Sequence, residues 1–352
     1  MEAFVSGIAS DVHTLVLFLI IAASLAVLVK GADLLVDEAV SLSVKWGVPK
    51  MLIGATIVSL GTTLPETAVS VFAAVRGAPG LALGNAVGSI IADTGLILGI
   101  AVLIGPIPVE QRLVSRQSWI QFASALLLVV VSIPLLALGD VFSEGGRLPR
   151  VAGFAFLALL VLYIWRSIRW SRSAPMGTIE PATVDVSADV KPVLSLLKLL
   201  VGIALVVLAS QVLIPTVEET AVRLNIPDAI IAATLVAFGT SLPELVTAVT
   251  AVRKKHGELA LGNVIGADIL NVLFVSGASA AVTRGGLQVP PQFFFLFFPS
   301  MIFVVAVLRI GIGRSEHELS RKFGFVLLGA YVVTVVAGYL VPGAPVPQAI
   351  AH

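Results

Sequence analysis

The chain has 352 residues; 58% are hydrophobic and only 12% are charged, about half the share usual in soluble proteins, and the net charge is +1. So few charges cannot cover a water-soluble globule, and a near-zero balance argues against a nucleic-acid partner. The absence of Cys removes disulfide scaffolds, thiolate metal sites and thiol nucleophiles, and four His leave little for a histidine-rich metal centre.

A membrane helix needs about 20 mostly apolar residues. Ten such stretches follow one another, at about 14–37, 51–75, 81–104, 118–138, 151–170, 193–214, 229–252, 259–282, 292–312 and 322–341. They are continuously apolar and do not alternate, so helices are expected and a barrel is not. The first stretch lacks the basic flank of a signal peptide. Residues 171–191, rich in Ser, Pro and Ala, read as a flexible cytoplasmic linker. With the N-terminus outside, sixteen Lys and Arg fall on inner connections and five on outer ones, which puts both termini outside the cytoplasm. The run Arg253, Lys254, Lys255, His256 reads as an orientation anchor. His13, His317 and His352 lie near stretch ends or the terminus, and no ligand role is expected of them.

The chain aligns with itself. At an offset of 178 residues, 49–99 lies over 227–277 without a gap, with 20 identities in 51 pairs. The second stretch therefore corresponds to the seventh. Five crossings separate them, and an odd number reverses direction. The expected architecture is an all-α integral membrane protein of ten transmembrane helices, built as two inverted five-helix repeats. The first repeat spans 1–170 with its motif at 54–93, and the second spans 192–352 with its motif at 232–271. Inverted repeats place a transporter's substrate site at the midplane where they meet.

The first copy carries Gly61-Thr62-Thr63-Leu64-Pro65-Glu66, and the second carries Gly239-Thr240-Ser241-Leu242-Pro243-Glu244. Pro removes a backbone donor and obstructs the preceding turn, so each stretch should break near its middle. Broken backbone at membrane depth is tolerated where it lines a cavity, and its freed carbonyls can hold a cation. A carboxylate in mid-membrane needs a role or a partner, and here Glu66 and Glu244 stand at equivalent positions. In the third stretch Asn85, Ser89 and Asp93 are spaced by four and share a helix face; Asn263, Ala267 and Asn271 do the same in the eighth. Carboxylates, amides, hydroxyls and carbonyls are all hard oxygen donors, which suits Ca2+ and Na+. Glycines 84, 88, 262 and 266 permit close helix approach. Lys30 and Asp33 can pair on the first stretch. Asp37 and Glu38 read as a solvated helix end, and the phenylalanines from 293 to 298 as a lipid-facing or packing surface.

The paired G-T-[ST]-L-P-E and G-N-x-x-G-[SA] motifs resemble those of the calcium/cation antiporter superfamily, and among its branches the prokaryotic sodium/calcium exchangers. The resemblance implies exchange of Ca2+ for Na+ by alternating access, with no enzymatic reaction and no cofactor. It makes Glu66 and Glu244 the central ligands of both ions. Thr62, Thr63, Thr240 and Ser241 would add hydroxyl or carbonyl oxygens. Ser59 and Ala237 would offer backbone carbonyls to sodium, and Ser89 a further sodium ligand. Asp93 and Asn271 would flank the middle site. The first and sixth stretches would slide as a pair. Ala267 departs from the usual Ser, and Asp268 beside it either replaces the lost oxygen or serves as a structural acid. An acid at position 93 leaves H+ or K+ open as coupling ions, and a passive channel is the reading from another class. The partners expected are the lipid bilayer of a prokaryotic plasma membrane and the transported ions, with the monomer as the working unit.

Overall fold

A computed structural model describes residues 7, 12–134, 141–171, 192–224 and 240–340. Among these, seven helices are long and apolar enough to cross a membrane, or eight when one bent pair is taken as a span. The chain is a helical, multi-pass membrane protein.

The first helix, α1 (Thr14–Trp46), runs nine residues beyond the expected stretch. It stops where Gly47 takes φ 62°, a left-handed turn that glycine adopts at no steric cost, and Val48 N–H returns to the Ser43 carbonyl at 2.9 Å. The second stretch is broken as expected: α2 (Lys50–Thr62) and α3 (Leu64–Val75) meet at Thr63 with a bend of 45°. Then come α4 (Pro79–Ile104), α5 (Gln111–Ser132), α6 (Arg150–Ser171) and α7 (Pro192–Arg223). The expected linker lies almost wholly outside the described residues. Of the seventh stretch the described part is α8 (Leu242–Arg253), followed by α9 (Gly257–Val282), α10 (Phe293–Arg314) and α11 (Arg321–Leu340).

Short antiparallel ribbons tie the connections together at each end of the bundle. At one end β1 (Ile107–Pro108) pairs with β4 (Glu318–Leu319). At the other, β2 (Gly146–Leu148) pairs with β3 (Leu287–Val289). The first end also gathers Lys50, Lys254 and His256, and is called the basic end below.

Two long helices pack side by side and antiparallel. Lys45 near the end of α1 donates to Ser195 near the start of α7 at 2.9 Å, and Arg223 at the end of α7 donates to the Val12 carbonyl. Their contact is close because Gly31 and Gly202 lack side chains. A Cβ on Gly202 would lie 2.8 Å from the Leu35 nitrogen.

The core lies between α2 and α9. Gly262 and Gly266 face Met51 and Ala55, and a Cβ on Gly262 would sit 2.1 Å from the Met51 carbonyl oxygen. Directions also matter. Helix α3 runs away from the basic end and α8 runs toward it; α4 runs toward that end and α9 away from it.

The basic run differs from the expectation of a plain anchor. Lys254 pairs with Asp37 at 2.8 Å and Asp33 at 3.2 Å, so Asp33 serves a distant element, and among the described residues no ion pair joins it to Lys30 as expected. Glu38 pairs with Lys198 at 3.4 Å, so the polar end of α1 is engaged and not simply solvated. The phenylalanine cluster divides: Phe293 and Phe298 are buried against each other, while Phe295 is exposed.

Candidate cation site

Four local departures from α-helical geometry build the site. Pro65 has no N–H, so the Gly61 carbonyl four residues back loses its helical donor. The turn survives on other bonds: Thr63 N–H reaches the Ser59 carbonyl at 2.9 Å, and Thr67 N–H reaches the Thr63 carbonyl at 3.1 Å. Upstream, Gly54–Val58 winds as a π-helix. On α4 the same happens at Ala92–Ile97, and on α9 at Asn271–Ser276. Such π turns insert a residue and re-aim side chains, and they are frequent at functional sites. The last two begin within a residue of matching positions in the self-alignment. Each carries one of the expected polar residues, Asp93 and Asn271.

Glu66, Asp93, Glu244 and Asn271 are each 1% exposed. Both carboxylate oxygens of Glu66 have no hydrogen-bond partner among the described residues, nor have Asp93 Oδ1, Glu244 Oε2, Asn271 Oδ1 and Thr63 Oγ1. Glu66 lies beside Thr240, while Glu244 lies beside Thr62 and Thr63. Each glutamate thus faces hydroxyls of the other copy. Asp93 lies beside Ser241 and within electrostatic reach of Glu244. Asn85 ties the copies together: its amide donates to Ser70 Oγ at 3.0 Å, and its oxygen accepts from Thr240 at 3.2 Å.

Buried acceptors without donors are costly, and buried carboxylates without counter-charge more so. Among the described residues, none of these carboxylates has an ion pair. A hard cation satisfies both demands at once. No three acidic or imidazole side chains gather closely enough among the described residues to hold a metal ion alone. An ion here would therefore draw on neutral oxygens as well, which fits the hydroxyls and the freed carbonyls.

The other expected residues are placed as follows. Ser59 is fully buried, donates to the Thr56 carbonyl at 3.3 Å and abuts Gly266. Ser89 is buried one turn before Asp93. Ala267 is buried with no polar atom to offer. Ala237 lies outside the described residues. Asp268 does not stand alone. Its Oδ2 accepts from Thr94 and from Gln121, while its Oδ1 is left without a donor.

Gln117 and Gln121 escaped the sequence reading. They sit four apart on α5, both buried, in line with Ser124. Gln117 Oε1 and the Ala55 carbonyl lie 3.2 and 3.1 Å from the Tyr163 hydroxyl. Amides spaced by four on an apolar helix were the available signal.

A small cleft beside the two helix breaks is lined by Pro65, Val69, Gln211, Thr240 and Pro243.

Membrane-length helices, a broken pair and buried oxygens without donors define a multi-pass membrane protein with a cluster of polar side chains in its core. The chain belongs to the sodium/calcium exchanger protein family, whose model matches residues 16–169 and 194–340. It is 32% identical over 319 residues to the inner membrane protein YrbG of Escherichia coli, covering 90% of this chain and 94% of that protein. It is also 32% identical to the sodium/calcium exchanger MaX1 of Methanosarcina acetivorans, covering 91% and 97% of the two chains. Among solved structures, the sodium-calcium exchanger NCX_Mj soaked with Na+ and Sr2+ superposes with a TM-score of 0.76 at 25% identity, over 92% of this chain and 99% of that one.

Proposed function

We propose that this protein exchanges Ca2+ for Na+ across a prokaryotic plasma membrane by alternating access. The observation that carries this reading is the reciprocal placement of Glu66 and Glu244, each buried and beside the hydroxyls of the other copy. Two carboxylates neutralise one Ca2+, and monovalent ions neutralise the same charge in its absence. Competition for one set of oxygens is what couples the two fluxes. The reading is supported by the exchangers among the relatives, MaX1 and NCX_Mj.

In this reading ten helices cross the membrane as two inverted repeats, 1–170 and 192–352, joined by a cytoplasmic linker over 171–191. The opposed directions of α3 and α8, and of α4 and α9, support it. The basic end faces the cytoplasm, so both termini lie outside. Glu66 and Glu244 hold either ion, with oxygens from Thr62, Thr63, Thr240 and Ser241. Ser59, Ala237 and Ser89 serve sodium, and Asp93 and Asn271 flank the centre. The pair α1 and α7 slides across the core to open the site to each side in turn.

The test is 45Ca2+ uptake into proteoliposomes loaded with Na+. An outward Na+ gradient drives uptake, and dissipating it stops uptake. Uptake that ignores Na+ but follows a pH or K+ gradient overturns the coupling while leaving Ca2+ as cargo. Flux with no counter-gradient overturns exchange altogether.

A further inference from the structure

We propose that Asp268, Gln121 and Thr94 form a further subsite for a monovalent cation, on the α5 side of the central carboxylates. The side chains fix their own orientation. Thr94 donates its hydroxyl to Asp268 Oδ2, and the Gln121 amide donates both to that oxygen and to Thr94 Oγ1, the latter at 3.1 Å. The two amide hydrogens are thereby used, and a flipped Gln121 would press its own oxygen against the carboxylate. Two buried oxygens are left over, Asp268 Oδ1 and Gln121 Oε1, with no donor among the described residues. Both side chains are 1% exposed. A carboxylate oxygen and an amide oxygen left over on two bonded, buried side chains offer one negative charge and hard donors. That suits a singly charged alkali ion better than a divalent one.

The comparison of the two repeats points the same way. The partner position of Asp268 in the first copy is Ile90, and the partner position of Thr94 in the second is Val272. The copies depart from each other at both places, and the two polar departures are bonded to one another across α4 and α9. Thr94 satisfies only one oxygen of the acid, and Asp268 Oδ1 still has no donor among the described residues. Asp268 also lies within electrostatic reach of Asp93 and Glu244, so the core holds a fourth carboxylate whose charge the central site does not balance.

The proposal rests on reading the chain as a cation carrier, but its test counts bound ions and not flux. Saturation binding of 22Na+ to detergent-purified protein is measured for the wild type, Asp268→Asn and Gln121→Leu. The expected result is about one Na+ fewer per Asp268→Asn molecule, with 45Ca2+ affinity in Na+-free buffer within about threefold of wild type. Gln121→Leu keeps the count at high Na+ but weakens the last ion about tenfold. An unchanged Na+ count and affinity in both variants overturns the subsite and makes Asp268 a structural acid. If Asp268→Asn is not monodisperse, Gln121→Leu decides alone: an unaltered isotherm is fatal. If the wild type binds no Na+, the coupling proposed above fails, and the same variants read with 86Rb+ decide the subsite separately.

Discussion

Lys254 places its ammonium 2.8 Å from Asp37 and 3.2 Å from Asp33, tying the turn between α8 and α9 to the long helix α1. If α1 and α7 slide during transport, this pair must break in one of the two states. A partly exposed ion pair contributes at most about 1 kcal/mol, too little to matter for folding but a factor of about five between two conformations. Burial works against the charge of Lys254, yet Asp37 and Asp33 outweigh it and hold the ammonium above the usual lysine value. With a raised value in the fold, the lysine's contribution to the contact persists through neutral pH and is lost as pH rises through that value. Lys254→Ala should leave the melting temperature almost unchanged and raise amide exchange several-fold over residues 33–46. Asp37→Asn should reproduce the effect, and unaltered exchange in both would remove the pair from any gating role.

Glu66 and Glu244 carry buried charge at a cost to the fold, so the two functions of these residues separate. Glu66→Gln and Glu244→Gln each keep the volume and remove the charge. The ion-free variants should melt no lower than the wild type, because an uncompensated buried carboxylate has been relieved. Ligand at a hundred times its dissociation constant stabilises a binding protein by about 2.7 kcal/mol. That Ca2+-induced rise in melting temperature should vanish in both variants, along with exchange. A rise of wild-type size in either one would take that carboxylate out of the centre.

The close crossing of α2 and α9 makes a sharper structural test. Any side chain at Gly262 meets the Met51 carbonyl at 2.1 Å, and backbone cannot move aside as a flexible side chain does. Overpacking of this kind costs about 1–3 kcal/mol or more. Gly262→Ala should lower the melting temperature and yield, whereas Gly329→Ala, with no atom within 4 Å on an exposed face of α11, should not. Equal stability of the two variants would mean that this crossing is looser than it stands here.

Much of this was legible because the chemistry is local. The break at Thr63 follows from Pro65, and the burial of both glutamates follows from their place inside apolar stretches. The self-alignment paired them before any contact was known. What stayed hidden was of two kinds. The π turns at Ala92–Ile97 and Asn271–Ser276 leave no mark on a 3.6-residue period, yet they decide where Asp93 and Asn271 point. The partners of Asp268 and Lys254 come from 147 to 221 residues away. A spacing rule reaches one turn of helix, so it offered Lys30 to Asp33 and left Asp268 with two equal readings.

His256 belongs to the basic end of the bundle. Its Nδ1 lies 3.3 Å from Lys50 Nζ, and Lys50 also pairs with Glu258 at 2.9 Å, so the start of α9 is stapled to the start of α2. Neutral imidazole accepts from the ammonium; imidazolium would repel it. Burial chiefly, and Lys50 after it, push His256 below its usual 6.5, against smaller opposing effects of Glu258 and Asp37. The unfolded chain therefore binds this proton more readily than the fold does. Stability that is present above pH 6.5 should decline as pH falls through that value. Thermal melts of purified protein between pH 8 and pH 5.5 should show the decline, and His256→Gln, which cannot take the proton, should flatten it. An identical slope in that variant would assign the pH dependence to other groups.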